Sequence, residues 1–214
     1  MPELAKYADE LYVFQRTPSA VYERGQRPTD EAEWNQKIAT HTGWQKERME
    51  NFALHLAHSP LLPPNAKNLV GDGWTQLKGY CAITGSDAFD NVAPTEIPQH
   101  IGKLMALDAD TSAKVRARTA NVVKDKETAE KLTPWYPAWC KRPTFSDLYL
   151  QAFNQPNVHL VDTDGKGVDS VTTKGVVANG KEYPVDILIL STGYRPPSYG
   201  GGDPAKRMGV EIVG

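Results

Sequence analysis

The positions of two strand-like runs constrain the fold of this chain most. Residues 10–14 (ELYVF) and 158–161 (VHLV) have the composition of short buried strands, and a long stretch between them has helical character. Within that stretch Met49, Phe52 and Leu56 recur at helical spacing, which predicts an amphipathic helix. A strand frame interrupted by helices predicts an α/β fold with a helical insertion.

Further helices are predicted from capping residues and apolar spacing. Thr29 or Asp30 is suited to cap a helix over residues 31–39. The spacing of Ile101, Leu104 and Met105 predicts a second helix. Val115 and Val122 indicate a weaker third one, because the polar Arg118 and Thr119 lie between them.

The last third of the chain changes to β character. Ser146 is suited to cap a short helix that reaches residue 154. Residues 169–172, 175–178 and 181–183 predict a small meander, in which Asn179 and Gly180 favour a type I′ turn. Residues 185–190 (VDILIL) predict a fully buried strand that leads into residues 191–193 (STG).

Composition excludes several classes of protein. The chain has 24 basic and 26 acidic residues among 214, without the basic stripe of a nucleic-acid-binding protein. No apolar run approaches the ~20 residues of a membrane span, and no secretory signal is recognisable. Cys81 and Cys140 are too few for a disulfide scaffold, which predicts a cytoplasmic protein. His55 and His58 lack companions at metal-ligand spacing, so no metal site is expected.

Arg16 follows the first predicted strand, where a Rossmann unit recognises the ribose of its dinucleotide. An acidic residue there bonds the ribose hydroxyl of NAD, whereas an arginine accommodates the 2′-phosphate of NADP. Thr17 is its neighbour, and the alternative interpretation is a solvated arginine at a strand end. No GxGxxG occurs in the chain, so the glycine loop of such a unit is expected upstream of Met1.

Lys141 and Arg142 form the second candidate site, between proline-rich turns. Neighbouring side chains of an extended segment point to opposite faces, which would let Lys141 reach a phosphate while Arg142 enters a separate pocket. An arginine keeps its charge and presents a planar fork to an oxyanion. Trp135, Tyr136 and Trp139 would exclude water. The alternative is that the cations serve solubility and the aromatic residues form core.

Several segments resemble Baeyer–Villiger monooxygenases, in the same order along the chain. Residues 14–19 (FQRTPS) resemble the FQRTP segment of that family, and residues 135–144 (WYPAWCKRPT) resemble its KR segment. Other matching segments are residues 43–45 (GWQ), 71–74 (GDGW), 149–154 (YLQAFN), 157–162 (NVHLVD), 175–176 (GV), Asp186 and 191–194 (STGY). The last of these resembles the family's ATG-type motif.

The resemblance implies a flavoprotein with two dinucleotide-binding domains, one for FAD and one for NADPH. NADPH would reduce the flavin, which would then use O₂ to convert a ketone to an ester or lactone. Arg16, Thr17 and Lys141 would bind the 2′-phosphate of NADPH. Arg142 would be the catalytic arginine, stabilising negative charge on the oxygenated flavin and on the substrate oxygen.

The same resemblance implies a partial Rossmann-like NADPH-binding domain. Residues 1–22 would complete the Rossmann unit, 23–131 would be the helical insertion, 132–195 the return of the NADPH domain, and 196–214 the beginning of the return to the FAD domain. Both glycine loops, the family's FxGxxxHxxxW segment and the aspartate that partners the active-site arginine are missing. We therefore expect an internal piece of the enzyme, inactive alone and marginally stable, because a missing first strand leaves sheet edges uncovered.

Two other functions stay open at this point. An N-hydroxylating or other flavin monooxygenase shares the two-domain plan, although Lys141 and Arg142 argue against it. A catalytically dead dinucleotide-binding or scaffold fragment is the alternative from a different class.

Overall fold

The computed structural model describes residues 1–57, 59, 61–86, 91–193, 209 and 211. They form two compact units, Met1–Val168 and Asp169–Gly214. Most of the segment 196–214, predicted to begin the return to the FAD domain, lies outside the described residues. No helix of the described ranges is long and apolar enough to cross a membrane.

A parallel pair of strands forms the frame of the first unit. After a short 3₁₀ turn at Leu4–Lys6, β1 (Leu11–Gln15) pairs with a later strand, β4 (Val158–Asp162), in the register Leu11 to Val158. Both strands were predicted from the sequence and are confirmed within one residue. The core beside them contains Ala5, Val21, Val123, Ala129, Leu132, Leu150, Phe153 and Val158.

A second parallel pair joins the chain segments that follow the two candidate sites. β2 (Val21–Tyr22) pairs with a later strand, β3 (Thr144–Phe145), and Thr144 N–H donates to the Ala20 carbonyl at 3.0 Å. Residues 16–22 and 141–145 are thereby brought side by side.

The helical block contains five α-helices and several 3₁₀ turns in its described part. The helices are α1 (Glu31–Glu33), which continues as a π-helix over Trp34–Ile38, α2 (Trp44–Leu56), α3 (Cys81–Thr84), α4 (Ile97–Val122) and α5 (Lys126–Leu132). The 3₁₀ turns are Gly73–Gln76, Lys78–Tyr80 and Pro94–Glu96. Asp30 caps α1 as predicted, because its Oδ1 accepts the Glu33 N–H at 2.6 Å.

The apolar stripe predicted for α2 does not become a core face. None of the thirteen residues of α2 is buried, and Met49 is 63% exposed. The helix is instead attached by Asn51, whose Nδ2 donates to the Lys67 carbonyl at 2.9 Å and whose Oδ1 accepts the Leu69 N–H at 2.8 Å. Hydrogen bonds to the following loop therefore hold a helix for which the sequence predicted apolar packing.

The two apolar patterns predicted between residues 101 and 122 belong to one helix, α4, of 26 residues. Its buried positions are Leu104, Asp108, Ser112, Val115 and Thr119. Ile101 and Met105, predicted to face the core, are 44% and 47% exposed. Leu104 and Val115 are buried as predicted, but the buried face also contains three polar side chains, Asp108, Ser112 and Thr119, which an apolar pattern does not detect.

A short helix, α6 (Tyr149–Ala152), precedes β4, and it ends two residues before the predicted end at residue 154. The Ser146 Oγ accepts the Tyr149 N–H at 3.1 Å, although the N-cap position of α6 is Leu148.

The described part of the second unit contains the predicted meander. β5 (Ser170–Val171), β6 (Gly175–Ala178) and β7 (Lys181–Pro184) form an antiparallel sheet. Asn179 and Gly180 have φ values of 51° and 72°, as a type I′ turn requires. Gly175 is required for the sheet, since a Cβ there would lie 2.0 Å from the Tyr183 carbonyl oxygen.

The fully buried strand predicted over residues 185–190 is absent. That segment has no regular secondary structure, and Ile187 and Leu190 are 79% and 75% exposed. A buried strand needs a neighbouring strand to satisfy its backbone. No described strand pairs with this segment, and within the described residues its backbone is joined to the rest of the chain through the Val185 N–H, which donates to the Lys174 carbonyl.

Candidate cofactor-binding site

Arg16 lies directly after the carboxyl end of β1. Its backbone is fixed, because its carbonyl accepts the Gly165 N–H at 2.7 Å and the preceding Gln15 carbonyl accepts the Thr163 N–H at 2.8 Å. A Cβ at Gly167 would lie 3.5 Å from the Arg16 Cδ, so the loop after β4 packs closely along the arginine stem. The Arg16 side chain is exposed, and the exposed end of a parallel sheet is where dinucleotides bind in open α/β folds.

Tyr136 connects the Arg16 segment to the Lys141 segment. Its hydroxyl donates to the Pro18 carbonyl at 2.5 Å, and its side chain is 5% exposed. Burial raises the pKa of this hydroxyl, which therefore stays protonated as a donor. The Lys141 Nζ lies 5.0 Å from the centre of the same ring, within the range of a cation–π contact.

Lys141 and Arg16 act on each other electrostatically. Burial, followed by the positive charge of Arg16, lowers the pKa of the Lys141 ammonium group. Neither cation forms an ion pair with a residue in the described ranges. An anion would neutralise this pair of positive charges, and Thr17, which follows Arg16 in the chain, carries a hydroxyl donor.

Arg142 has different neighbours from Lys141. The backbone at Lys141 is extended, with φ −139° and ψ 158°. The Arg142 guanidinium carbon lies 6.0 Å from the centre of the Trp74 ring, whereas Lys141 contacts Tyr136. The two cations therefore contact different aromatic residues, in line with the alternation expected of an extended segment.

The Trp74 ring is held by the 3₁₀ turn Gly73–Gln76. Asp72 caps this turn, with its Oδ1 accepting the Trp74 N–H at 3.1 Å. The Trp74 ring packs on Phe145 at 5.2 Å between centroids. A Cβ at Gly73 would lie 2.4 Å from the Phe145 Cε1, so the contact requires glycine. The sequence analysis named residues 71–74 only as a matching segment, and the contact of Trp74 with Arg142 was not predicted.

The aromatic residues before Lys141 differ in their surroundings. Tyr136 is buried and Trp139 is partly buried, but Trp135 is 73% exposed and does not exclude water. The Trp139 Nε1 is buried without a hydrogen-bond partner among the described residues. Arg16 and Lys141, whose positive charges act on each other, fit an anionic, phosphate-bearing cofactor.

The sequence analysis missed Asp108, which lies on α4 under this site and is 3% exposed. A signal was present: Leu104, Asp108 and Ser112 follow one another at steps of four, so a carboxylate occupies a core position of the helix.

Comparison with known proteins gives close relatives. No family model matches the chain. The polycyclic ketone monooxygenase of Thermothelomyces thermophilus is 57% identical over 100% of this chain and 33% of its own length. A Baeyer–Villiger monooxygenase of Stachybotrys chlorohalonatus is 47% identical over 91% of this chain and 30% of its own length. The chain thus spans about a third of the length of the curated relatives it matches.

Solved structures agree with the sequence comparison. The structure of the polycyclic ketone monooxygenase from Thermothelomyces thermophila superposes with a TM-score of 0.92 over 100% of this chain and 34% of that one. An oxidised steroid monooxygenase bound to NADP is 25% identical, with a TM-score of 0.60 over 92% of this chain and 36% of that one.

Proposed function

The chain belongs to the flavin-dependent Baeyer–Villiger monooxygenases, since it matches about a third of the length of members of that family. We propose that it forms most of the NADPH-binding domain of such an enzyme. The enzyme would use FAD, NADPH and O₂ to insert one oxygen atom into a ketone, giving an ester or lactone. Relatives named as FAD-binding monooxygenases support the flavin, and a neighbour bound to NADP supports the nicotinamide cofactor.

The observation that carries this proposal is that Tyr136 joins Lys141 to the segment of Arg16: its hydroxyl donates to the Pro18 carbonyl, and its ring centre lies 5.0 Å from the Lys141 Nζ. Both cations would bind the 2′-phosphate of NADPH, with the Thr17 hydroxyl as a further donor. Burial and, after it, repulsion by Arg16 lower the pKa of Lys141, and a bound phosphate dianion would offset both effects. Only NADPH carries this phosphate, so these three residues would set the preference for NADPH over NADH.

Arg142 would have the catalytic role. FAD, when bound, would supply the oxygen chemistry. Arg142 would hold its positive charge beside the oxygen on which negative charge develops, since a guanidinium stays protonated at any working pH. The Trp74 ring would limit the movement of that side chain.

The domain ranges remain part of this proposal. Residues 1–22 and 132–195 would belong to the NADPH domain, 23–131 to its helical insertion, and 196–214 to the start of the FAD-domain return. A cytoplasmic location likewise stays a prediction from the sequence.

The test is a chimera in which these 214 residues replace the matching third of the Thermothelomyces thermophilus enzyme. Arg16→Ala and Lys141→Ala should each raise the KM for NADPH by roughly 10- to 100-fold, because a charge-assisted hydrogen bond contributes about 1.5–3 kcal/mol. The KM for NADH should not change. Arg142→Ala should lower kcat with either cofactor.

Lys114→Ala is the matched control, since Lys114 is an exposed lysine paired with Asp110 on α4. It should leave all constants unchanged. A parallel rise of both KM values in Lys141→Ala, or no rise in either, would refute the phosphate assignment.

A further inference from the structure

Asp108 is a buried carboxylate on the polar face of α4. It is 3% exposed, and it lies one turn from Leu104 and one turn from Ser112. Burying a carboxylate is unfavourable unless hydrogen bonds replace its water. Its partners therefore indicate what this residue does.

Three elements surround the Asp108 side chain. Its Oδ2 accepts the Ser112 hydroxyl at 2.5 Å, and both oxygens lie 3.2 Å from the Ala138 N–H. Gly79 packs against it so closely that a Cβ there would lie 2.9 Å from the Asp108 Cβ. The carboxylate thus joins α4 to the turn Lys78–Tyr80 and to the turn Ala138–Cys140.

The turn Ala138–Cys140 lacks a cap of its own. Its N-cap residue is Pro137, which has no side-chain acceptor. The first N–H groups of a helical turn need an acceptor, and Asp108 supplies one from a helix about thirty residues earlier. The residue that ends this turn is Lys141, and Arg142 follows it.

A second residue of α4 holds the other side of the same segment. The Arg116 Nε donates to the Pro134 carbonyl at 3.0 Å. The segment before Lys141 is therefore bound to α4 at Pro134 and at Ala138. Between these two points, the Tyr136 hydroxyl binds it to the Pro18 carbonyl.

We propose that Asp108 is a positioning residue for Lys141 and Arg142. It holds the turn from which both cations extend, and it contacts neither cofactor nor substrate itself. This inference rests on the proposed function, because it assigns Asp108 an effect through the phosphate-binding lysine and the catalytic arginine.

The experiment compares Asp108→Ala with Asp108→Asn in the chimera. The alanine variant leaves the Ala138 N–H without an acceptor, so we expect a roughly 10-fold higher KM for NADPH and a roughly 10-fold lower kcat. The KM for NADH should stay unchanged, which a general loss of structure would not allow. The asparagine variant keeps a carbonyl acceptor and should remain within about 3-fold of the parent.

The control is Asp110→Ala, an exposed carboxylate on the same helix, which should leave every constant unchanged. Kinetic constants of a folded Asp108→Ala variant that equal those of the parent would overturn the inference. So would equal losses in Asp108→Ala and Asp108→Asn, because the retained acceptor would then have no effect.

A second perturbation tests the inference if Asp108→Ala does not fold. Gly79→Ala introduces a methyl group 2.9 Å from the Asp108 Cβ and should raise the KM for NADPH without raising that for NADH. Gly102→Ala, on α4 with open space around it, is its control. Unchanged kinetic constants in Gly79→Ala would contradict the positioning role of Asp108. Unchanged kinetic constants in Lys141→Ala would instead refute the proposed function.

Discussion

Cys140 lies beside Lys141 and is an exposed free thiol, whereas Cys81 is buried. Burial raises the pKa of the Cys81 thiol, so little thiolate forms there. We predict that a thiol-alkylating reagent modifies Cys140 first, and that NADPH slows this reaction in the chimera by covering Lys141. Peptide mass spectrometry, with Cys140→Ser as the control, measures the order of modification and the effect of NADPH on its rate. Faster modification of Cys81, or no protection by NADPH, would contradict the prediction.

Asp147 stabilises a turn through its charge. Its carboxylate accepts the N–H groups of Gln26, Gly25 and Arg24, and these bonds lower its pKa. A lowered folded-state pKa gives stability above the unfolded pKa, which is lost as the pH falls through the folded value.

We therefore predict that Asp147→Asn is less stable than the parent at about pH 7, and that the difference shrinks as the pH falls to about 3. Urea unfolding of both proteins across this range is the measurement. A difference that does not depend on pH would show that the carboxylate charge has no part in the turn.

For single residues, the sequence predicted the placement of those side chains whose position depends only on neighbouring residues in the chain. Arg16 follows β1, and Lys141 and Arg142 contact different aromatic rings, as strand position and backbone alternation predicted. Trp74 and Asp108 were missed because their contacts join residues about 30 to 70 positions apart. Apolar spacing carries no information on such contacts.

At the scale of elements, α4 shows how a polar face can organise a fold. The Arg118 guanidinium donates to the Val21 and Ser146 carbonyls at 3.0 and 2.9 Å, so the helix holds the backbone beside β2 and β3.

Gly102 is an exposed residue in the N-terminal half of α4, and a Cβ there would meet no other atom within 4 Å. We predict that Gly102→Ala raises the free energy of unfolding by about 0.5–1 kcal/mol, because alanine loses less backbone entropy in a helix. Chemical denaturation measures this change. A destabilised variant would mean that α4 is not continuous through residue 102.

Elements with local signals were predicted well, and elements that depend on distant partners were not. The turn at Asn179 and Gly180 needs only its own φ values, so two residues identify it. The apolar run 185–190 was taken for a buried strand, but no described strand pairs with it. Composition indicates only that such a run can be buried. Whether it is buried depends on a neighbouring strand that pairs with it.

At the scale of the whole molecule, the exposed run 187–190 favours association between chains, as contiguous exposed apolar residues do. We predict that Ile187→Lys with Leu190→Lys increases the monomeric fraction of the purified chain. Leu61→Lys, at a single exposed leucine, is the control and should change it little. Light scattering that shows the same association in all three proteins would contradict this prediction.

Arg16 and Lys141 would together select the 2′-phosphate of NADPH. This selection can be measured by equilibrium binding of NADP⁺ and NAD⁺ to the chimera and to its Lys141→Ala variant. We predict that the parent binds NADP⁺ at least about 10-fold more tightly than NAD⁺, and that the substitution removes most of this preference while NAD⁺ binding stays unchanged. Equal affinity of the parent for both dinucleotides, or a preference that survives the substitution, would contradict it.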